Sequence, residues 1–334
     1  MQDTTQTPID WDAVHAELES QGKFDEYTTP YNYDHTVPVD KDYVYLKKNP
    51  GYKAYAFFAR VILFLFGPLV NYVAFGLKVR GRKNLRTIRK TGAFSISNHV
   101  HYLDNLVLRQ GIRARKVMYF TVAPHNCKSG IAGLTMRAGG ILPLPSSEHL
   151  SAMRNMNQAY EKILSKKRLI HFYAERAMWM YYPKPRPFKR GAFYYAVKFD
   201  VPVLPMFLTF APARGIRKLF GAKHQATLHI MPALRPDESL SPKARVLDLQ
   251  ERVQETFIRQ YRSVYGVDRP IIYDIDPSYY DKLDEDTLLA CKVSAKTVGA
   301  TFDPQSAATQ TQDAATQPDA PASPGDTQYA PIGR

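Results

Sequence analysis

From residue 92 onward, short apolar runs alternate with longer segments whose apolar residues recur at helical spacing. The runs at 93–97 (AFSIS), 116–122 (KVMYFTV), 140–144 (GILPL), 169–173 (LIHFY), 201–210 (VPVLPMFLTF) and 226–233 (ATLHIMPA) predict strands. Segments 104–110, 148–166, 191–199 and 241–265 predict helices. In 148–166 the residues Leu150, Met153, Ala159, Ile163 and Leu164 fall on one inward face. Strands and helices taken in turn predict a layered α/β domain.

The pattern differs before residue 79. Residues 1–52 are polar and Tyr-rich, an irregular lead-in with one short helix predicted over Trp11–Ser20. Residues 54–76 (AYAFFARVILFLFGPLVNYVAFG) are apolar, and about 20 such residues suffice to cross a bilayer. Yet Arg60 and Asn71 lie within the stretch, Gly67-Pro68 interrupts it, and basic residues flank both ends. Two short helices lying in the membrane interface account for this pattern best, a kinked span next, and a buried core hairpin last. The chain therefore divides into a lead-in (1–52), a membrane-associating helical segment (53–78), the α/β domain (79–298) and a tail (299–334). The tail is rich in Ala, Thr, Gln, Pro and Asp and is expected to be disordered.

Charge narrows the partners. The chain has 45 Lys and Arg against 31 Asp and Glu, a formal net charge of +14, which favours nucleic acid, an anionic membrane face or a phosphorylated substrate. The basic residues form no nucleic-acid-binding motif, and a nucleic-acid binder leaves 54–76 without a role. Two distant cysteines, Cys127 and Cys291, offer no zinc pattern and suit a reducing compartment. The polar, acidic N-terminus has no secretory-signal pattern, so the α/β domain is expected at the cytoplasmic face of a membrane.

The candidate chemistry sits in Ser95-Ile96-Ser97-Asn98-His99-Val100-His101-Tyr102-Leu103-Asp104. On one continuous helix, side chains five apart diverge by about 140°. His99 and Asp104 meet only if a turn follows the strand and Asp104 opens the next helix, where Asp is a favoured cap. An Asp bonded to one imidazole nitrogen leaves the other basic, able to take a proton from a substrate hydroxyl. A bland alternative has His99 closing a turn and Asp104 capping a helix. His101 is a competing base, better read as a turn residue.

With three further blocks the run becomes recognisable. Asn98-His99-x4-Asp104, then Gly139-Gly140-Ile141-Leu142-Pro143-Leu144, then Phe172-Tyr173-Ala174-Glu175, then Phe188-Lys189-Arg190-Gly191 with Val201-Pro202-Val203-Leu204-Pro205, resemble in order the motifs of glycerolipid acyltransferases of the 1-acylglycerol-3-phosphate type, over about residues 80–235. The resemblance implies a mixed, largely parallel sheet flanked by helices. It implies His99 as base and Asp104 as its partner in attack of a lysophospholipid hydroxyl on the thioester of acyl-CoA or acyl carrier protein. No metal or redox cofactor is implied; the partners are acyl donor, lipid acceptor and membrane surface. Asn98, Glu175, Arg176, Lys189 and Arg190 become candidate substrate-binding residues, Glu175 by placing the acceptor or else as a structural partner of Arg176 or of a backbone amide.

Two departures stand out. The arginines with which the family holds the acceptor phosphate are out of register: Pro145-Ser146-Ser147 ends the second block, and Arg176-Ala177-Met178 follows Glu175 where Gly, Thr and Arg are usual. Arg176, Lys184, Arg186, Lys189 and Arg190 are the possible substitutes, or else a surface for anionic lipid. Trp179, Tyr181 and Tyr182 suit either a headgroup layer or the core. Another lipid or glycolipid acceptor, and an inactive membrane-binding protein, remain as alternatives. A thioester hydrolase needs a nucleophile elbow, and no GxSxG is present.

Overall fold

The computed structural model describes residues 9–28, 34–113, 116–145, 150–219 and 221–304. Most of the tail, residues 305–334, lies outside them, as do residues 1–8 of the lead-in.

The elements run α1 (Trp11–Ser20), α2 (Pro50–Phe75), β1 (Lys78–Arg80), β2 (Ala93–Ser97), α3 (Asp104–Ile112), β3 (Met118–Val122), α4 (Gly130–Gly139), β4 (Ile141–Pro143), α5 (Leu150–Ser165), β5 (Leu169–Phe172), α6 (Gly191–Lys198), β6 (Val203–Pro212), α7 (Ile216–Leu219), β7 (His224–Ile230), α8 (Pro242–Tyr265) and α9 (Glu285–Lys296). The strands form one seven-stranded sheet in the order β1-β7-β6-β2-β5-β3-β4. β2 lies between β5 and β6 and is parallel to both; only the β6–β7 pairing is antiparallel. The expected mixed, largely parallel sheet with flanking helices is what the chain forms.

Alternation along the strands divides the core. Phe94, Ile96, Ile170 and Phe172 face a cluster built with Met156, Tyr160 and Ile163 of α5, Phe193 of α6 and Phe257 of α8. Ala93, Leu169, Met206 and Leu228 face the other way, onto Val107, Leu108 and Ile112 of α3 and Phe75 of α2. The lead-in is part of the first layer, since Phe24 is buried in that core. Helices α4 and α9 were not legible from periodicity. Gly140, at φ 102°, stops α4 and turns the chain into β4, which gives the second block its glycine a structural task.

The apolar segment departs from expectation. It is one continuous helix of 26 residues, not two short ones. Asn49 caps its start by accepting from the Tyr52 amide at 3.1 Å, and Gly76, at φ 53°, ends it. Pro68 removes the bond to the Phe64 carbonyl without ending the helix, because α2 is tied to the domain on both sides of it. Tyr55 Oη lies 2.6 Å from Thr135 Oγ1, and Arg60 Nε donates to the Ala138 carbonyl at 3.1 Å. Past the proline, Asn71 Nδ2 donates to the Leu106 carbonyl at 3.0 Å and to Gln110 Oε1 at 2.6 Å. Ala56, Ala59, Gly67, Asn71 and Phe75 face inward, while Phe57, Phe58, Ile62, Phe66, Leu69 and Val73 lie exposed.

Candidate functional site

β2 ends at Ser97, and the chain turns through residues 98–103 before α3 opens at Asp104. Asp104 makes that turn. Its Oδ2 accepts from the amides of Val100 at 2.9 Å and His101 at 3.1 Å, and lies 3.0 Å from His99 Nδ1. The carboxylate is 2% exposed and the imidazole 23%. An oxygen that already accepts two backbone N–H groups takes Nδ1 as a third donor, so Nδ1 carries the ring proton and Nε2 keeps the lone pair. Asp104 is the first helical residue, not the expected N-cap: Leu103 holds that position, and the carboxylate points back toward residues 99–101.

Behind the imidazole lies a stack. Tyr173 lies parallel to the His99 ring, centroids 3.8 Å apart at 16°. His171 meets Tyr173 edge-on at 4.6 Å, and its two ring nitrogens lie 3.0 Å from Ser95 Oγ and 3.2 Å from Ser97 Oγ. Burial first, and then the nearby His99 and Arg109, pushes the His171 imidazole well below its ordinary value. His101 serves the turn: its Nδ1 accepts from the Leu103 amide at 3.0 Å and its ring packs edge-on against Phe75 at 4.7 Å. Burial lowers its pKa as well.

Glu175 is buried and reaches His99 through the backbone. Its Oε2 accepts from the His99 amide at 3.1 Å and from Arg186 Nη2 at 2.8 Å, while Oε1 accepts from the Arg186 amide at 2.9 Å. Arg186 is fully buried, donates to the Phe24 carbonyl at 2.8 Å and lies over the Trp179 ring at 4.8 Å. The chain then folds back on the histidine turn, with the amides of Trp179 and Tyr181 donating to the carbonyls of His99 at 3.0 Å and Val100 at 2.9 Å. Trp179 and Tyr182 are therefore core residues.

The partner of Glu175 is Arg186, not Arg176, so Arg186 is sealed away from any acceptor phosphate. Asn98 offers its amide to the protein: Nδ2 donates to the Leu208 carbonyl at 2.8 Å and Oδ1 accepts from the Leu208 amide at 2.9 Å, extending the β2–β6 ladder by one rung. Acidic side chains from both ends of the chain fold over the basic run. Arg176 pairs with Asp25, Lys184 with Glu19 and Asp274, Lys189 with Asp284 and Asp25, and Arg190 with Glu285 and Asp286. Among the described residues, none of the side chains of Arg176, Lys189 and Arg190 bonds to His99 or Asp104.

The roles of Arg186 and His171 were not foreseen. Arg186 stood in the sequence only as one of several basic candidates, and a histidine in the middle of a strand carries no motif.

Comparison with curated protein sequences gives no match. Among solved structures, the chain is similar to the crystal structure of the 1-acyl-sn-glycerophosphate (LPA) acyltransferase PlsC from Thermotoga maritima, with a TM-score of 0.47 and 19% identity over 67% of this chain and 86% of that one. The family model named Acyltransferase matches residues 76–209, the part of the chain that holds the histidine turn, Asp104 and the Glu175–Arg186 pair.

Proposed function

We propose that this protein moves a fatty acyl group from the thioester of acyl-CoA or acyl carrier protein to the hydroxyl of a lysophospholipid, with 1-acylglycerol-3-phosphate as the first acceptor to test. The single observation that carries the reading is the 3.0 Å contact between His99 Nδ1 and the buried Asp104 Oδ2. With Nδ1 so engaged, Nε2 takes the acceptor proton as the lipid oxygen attacks the thioester carbonyl. The tetrahedral intermediate collapses with loss of thiolate, and His99 returns the proton to that leaving group. Asp104 holds the tautomer and offsets the positive charge on the ring while the proton is there. Glu175 and Arg186 act one layer back, fixing the His99 backbone.

A second acceptor class has a specific observation behind it. Arg176, Lys184, Arg186, Lys189 and Arg190 all pair with carboxylates of the protein. That favours an acceptor whose binding does not need this run, such as a glycolipid. α2 supports a place at the membrane surface. The globular domain bonds to it at both ends, and a bilayer span would leave those polar contacts in hydrocarbon. A helix lying in the interface, on the cytoplasmic face, satisfies both its faces.

The test uses purified full-length protein, labelled acyl-CoA or acyl carrier protein, and a panel of lysophospholipid and glycolipid acceptors, with products separated by chromatography. His99→Ala is expected to lower transfer by roughly 10²–10⁴-fold, the span typical of general-base loss. Full transfer by that variant would sink the assignment.

A further inference from the structure

A cavity of about 1490 Å³ opens between α2 and the edge of the sheet, bounded by the second half of α3, the start of β3, β4 and the end of α5. None of His99, Asp104, Tyr173 and Glu175 lines it. It reaches Lys116 and Arg168, just before β3 and β5, whereas His99 follows the far end of β2, which runs parallel to both strands on its side of the sheet.

Its lining has two characters. Eleven lysines and arginines contribute and no aspartate or glutamate does. Among the described residues, none of the eleven pairs with a carboxylate, in contrast to the basic run at 176–190. Arg109 spends its Nη atoms on the carbonyls of Met118 at 3.2 Å and Gly139 at 2.6 Å and lies over Phe120 at 4.7 Å. Burial, then Arg60 across the cavity, pushes the Arg109 guanidinium down to about 10. Burial and Lys167 push the Lys116 ammonium down to about 8. Unmatched like charges gathered in a partly desolvated space repel, and an anion entering between them removes that cost. The other wall is apolar: Phe57, Phe64 and Leu65 line the cavity and continue onto the exposed face of α2.

We propose that this cavity binds one phospholipid with an anionic headgroup, the phosphate among the lysines and arginines and the acyl chains along α2. Arginine forks suit phosphate oxygens, and a wall running out to an exposed apolar helix suits a chain drawn from a leaflet. A soluble polyanion such as coenzyme A matches the charge but leaves that wall unused. The site is separate from His99, and its occupancy is measured without any turnover, so it stands or falls independently of the proposed reaction.

The experiment is calorimetric titration of the full-length protein, in non-ionic detergent, with dioctanoyl phosphatidylglycerol, with dioctanoyl phosphatidylcholine, and with coenzyme A. The variants are Arg113→Gln/Lys162→Gln/Lys166→Gln, whose side chains line the cavity and are exposed, and Lys243→Gln/Lys282→Gln/Lys292→Gln, which removes equal charge elsewhere. Expected is one saturable site for phosphatidylglycerol, weakened about tenfold or more by the cavity variant and unchanged by the control, as three lysine or arginine contacts to anionic lipid imply. Equal binding of phosphatidylcholine, equal weakening by both variants, or displacement of the lipid by coenzyme A would overturn the proposal. Lys166→Gln alone serves in the same titration if the triple variant does not fold.

Discussion

Arg176 follows Glu175 with φ 70°, in the left-handed region that costs an ordinary side chain about 1–2 kcal/mol and a glycine nothing. A tight turn forces it, as the Arg176 amide donates to the Tyr173 carbonyl at 3.0 Å and the Ala177 amide to that of Glu175 at 2.9 Å. Relief of strain, lost pairing of the exposed Arg176 side chain with half-buried Asp25 and added freedom of the unfolded chain nearly cancel. Arg176→Gly is therefore expected to stay within about 1 kcal/mol of the parent, whereas Arg176→Val loses roughly 2 kcal/mol, both by denaturant titration. Glu175 is less forgiving. Glu175→Gln leaves the buried Arg186 guanidinium without its anion and is expected to cost about 3–5 kcal/mol, read as a large fall in the unfolding midpoint. A midpoint unchanged in Glu175→Gln would show that Arg186 finds its charge balance elsewhere. At this scale the sequence was legible where chemistry is local. His99 and Asp104 sit five apart within one strand–turn–helix, so their meeting followed from backbone geometry. Glu175 and Arg186 could not be paired that way, because their contact passes through a loop whose course is set by Phe24, Trp179 and the acidic segments that fold over it.

Among the elements, the sheet was legible nearly strand by strand, since buried parallel strands read as short apolar runs. α2 was not, and the reason is physical: Gly67-Pro68 interrupts a helix by local rules, and only tertiary ties on both sides override them. The same ties separate its two faces. Phe58 and Phe66 are both exposed, on the side away from the domain. Phe58→Asp/Phe66→Asp is expected to move the protein from the membrane to the soluble fraction in flotation assays, with the unfolding midpoint in detergent little changed. Retention of this double variant on vesicles would mean that α2 is not the membrane-binding element.

Across the whole molecule, acid is the predicted weakness. Burial, and then Arg186, lowers His15 to about 4; burial, and then Arg80, lowers His229 to about 4. In the unfolded chain both titrate near 6.5, so below that pH the unfolded state takes up protons that the native state refuses. Their cost is absent above pH 7, grows as pH falls through 6.5 and levels off below 4. At pH 4.5 it amounts to roughly 2–3 kcal/mol for each histidine. Denaturant titration at pH 7.5 and 4.5 should show that loss, and His15→Asn should recover part of it. His15 stacks on Trp179 at 5.0 Å, Trp179 Nε1 donates to the Glu26 carbonyl at 3.0 Å, and Glu19 takes both Lys184 and the Asp274 amide. The order in which the ribosome delivers these parts differs from the order in which they are needed. The imidazole turn is made early, but the strap that steadies it closes only once residue 274 has emerged. A chain cut short before that point carries every motif residue and lacks the clasp that holds them in place.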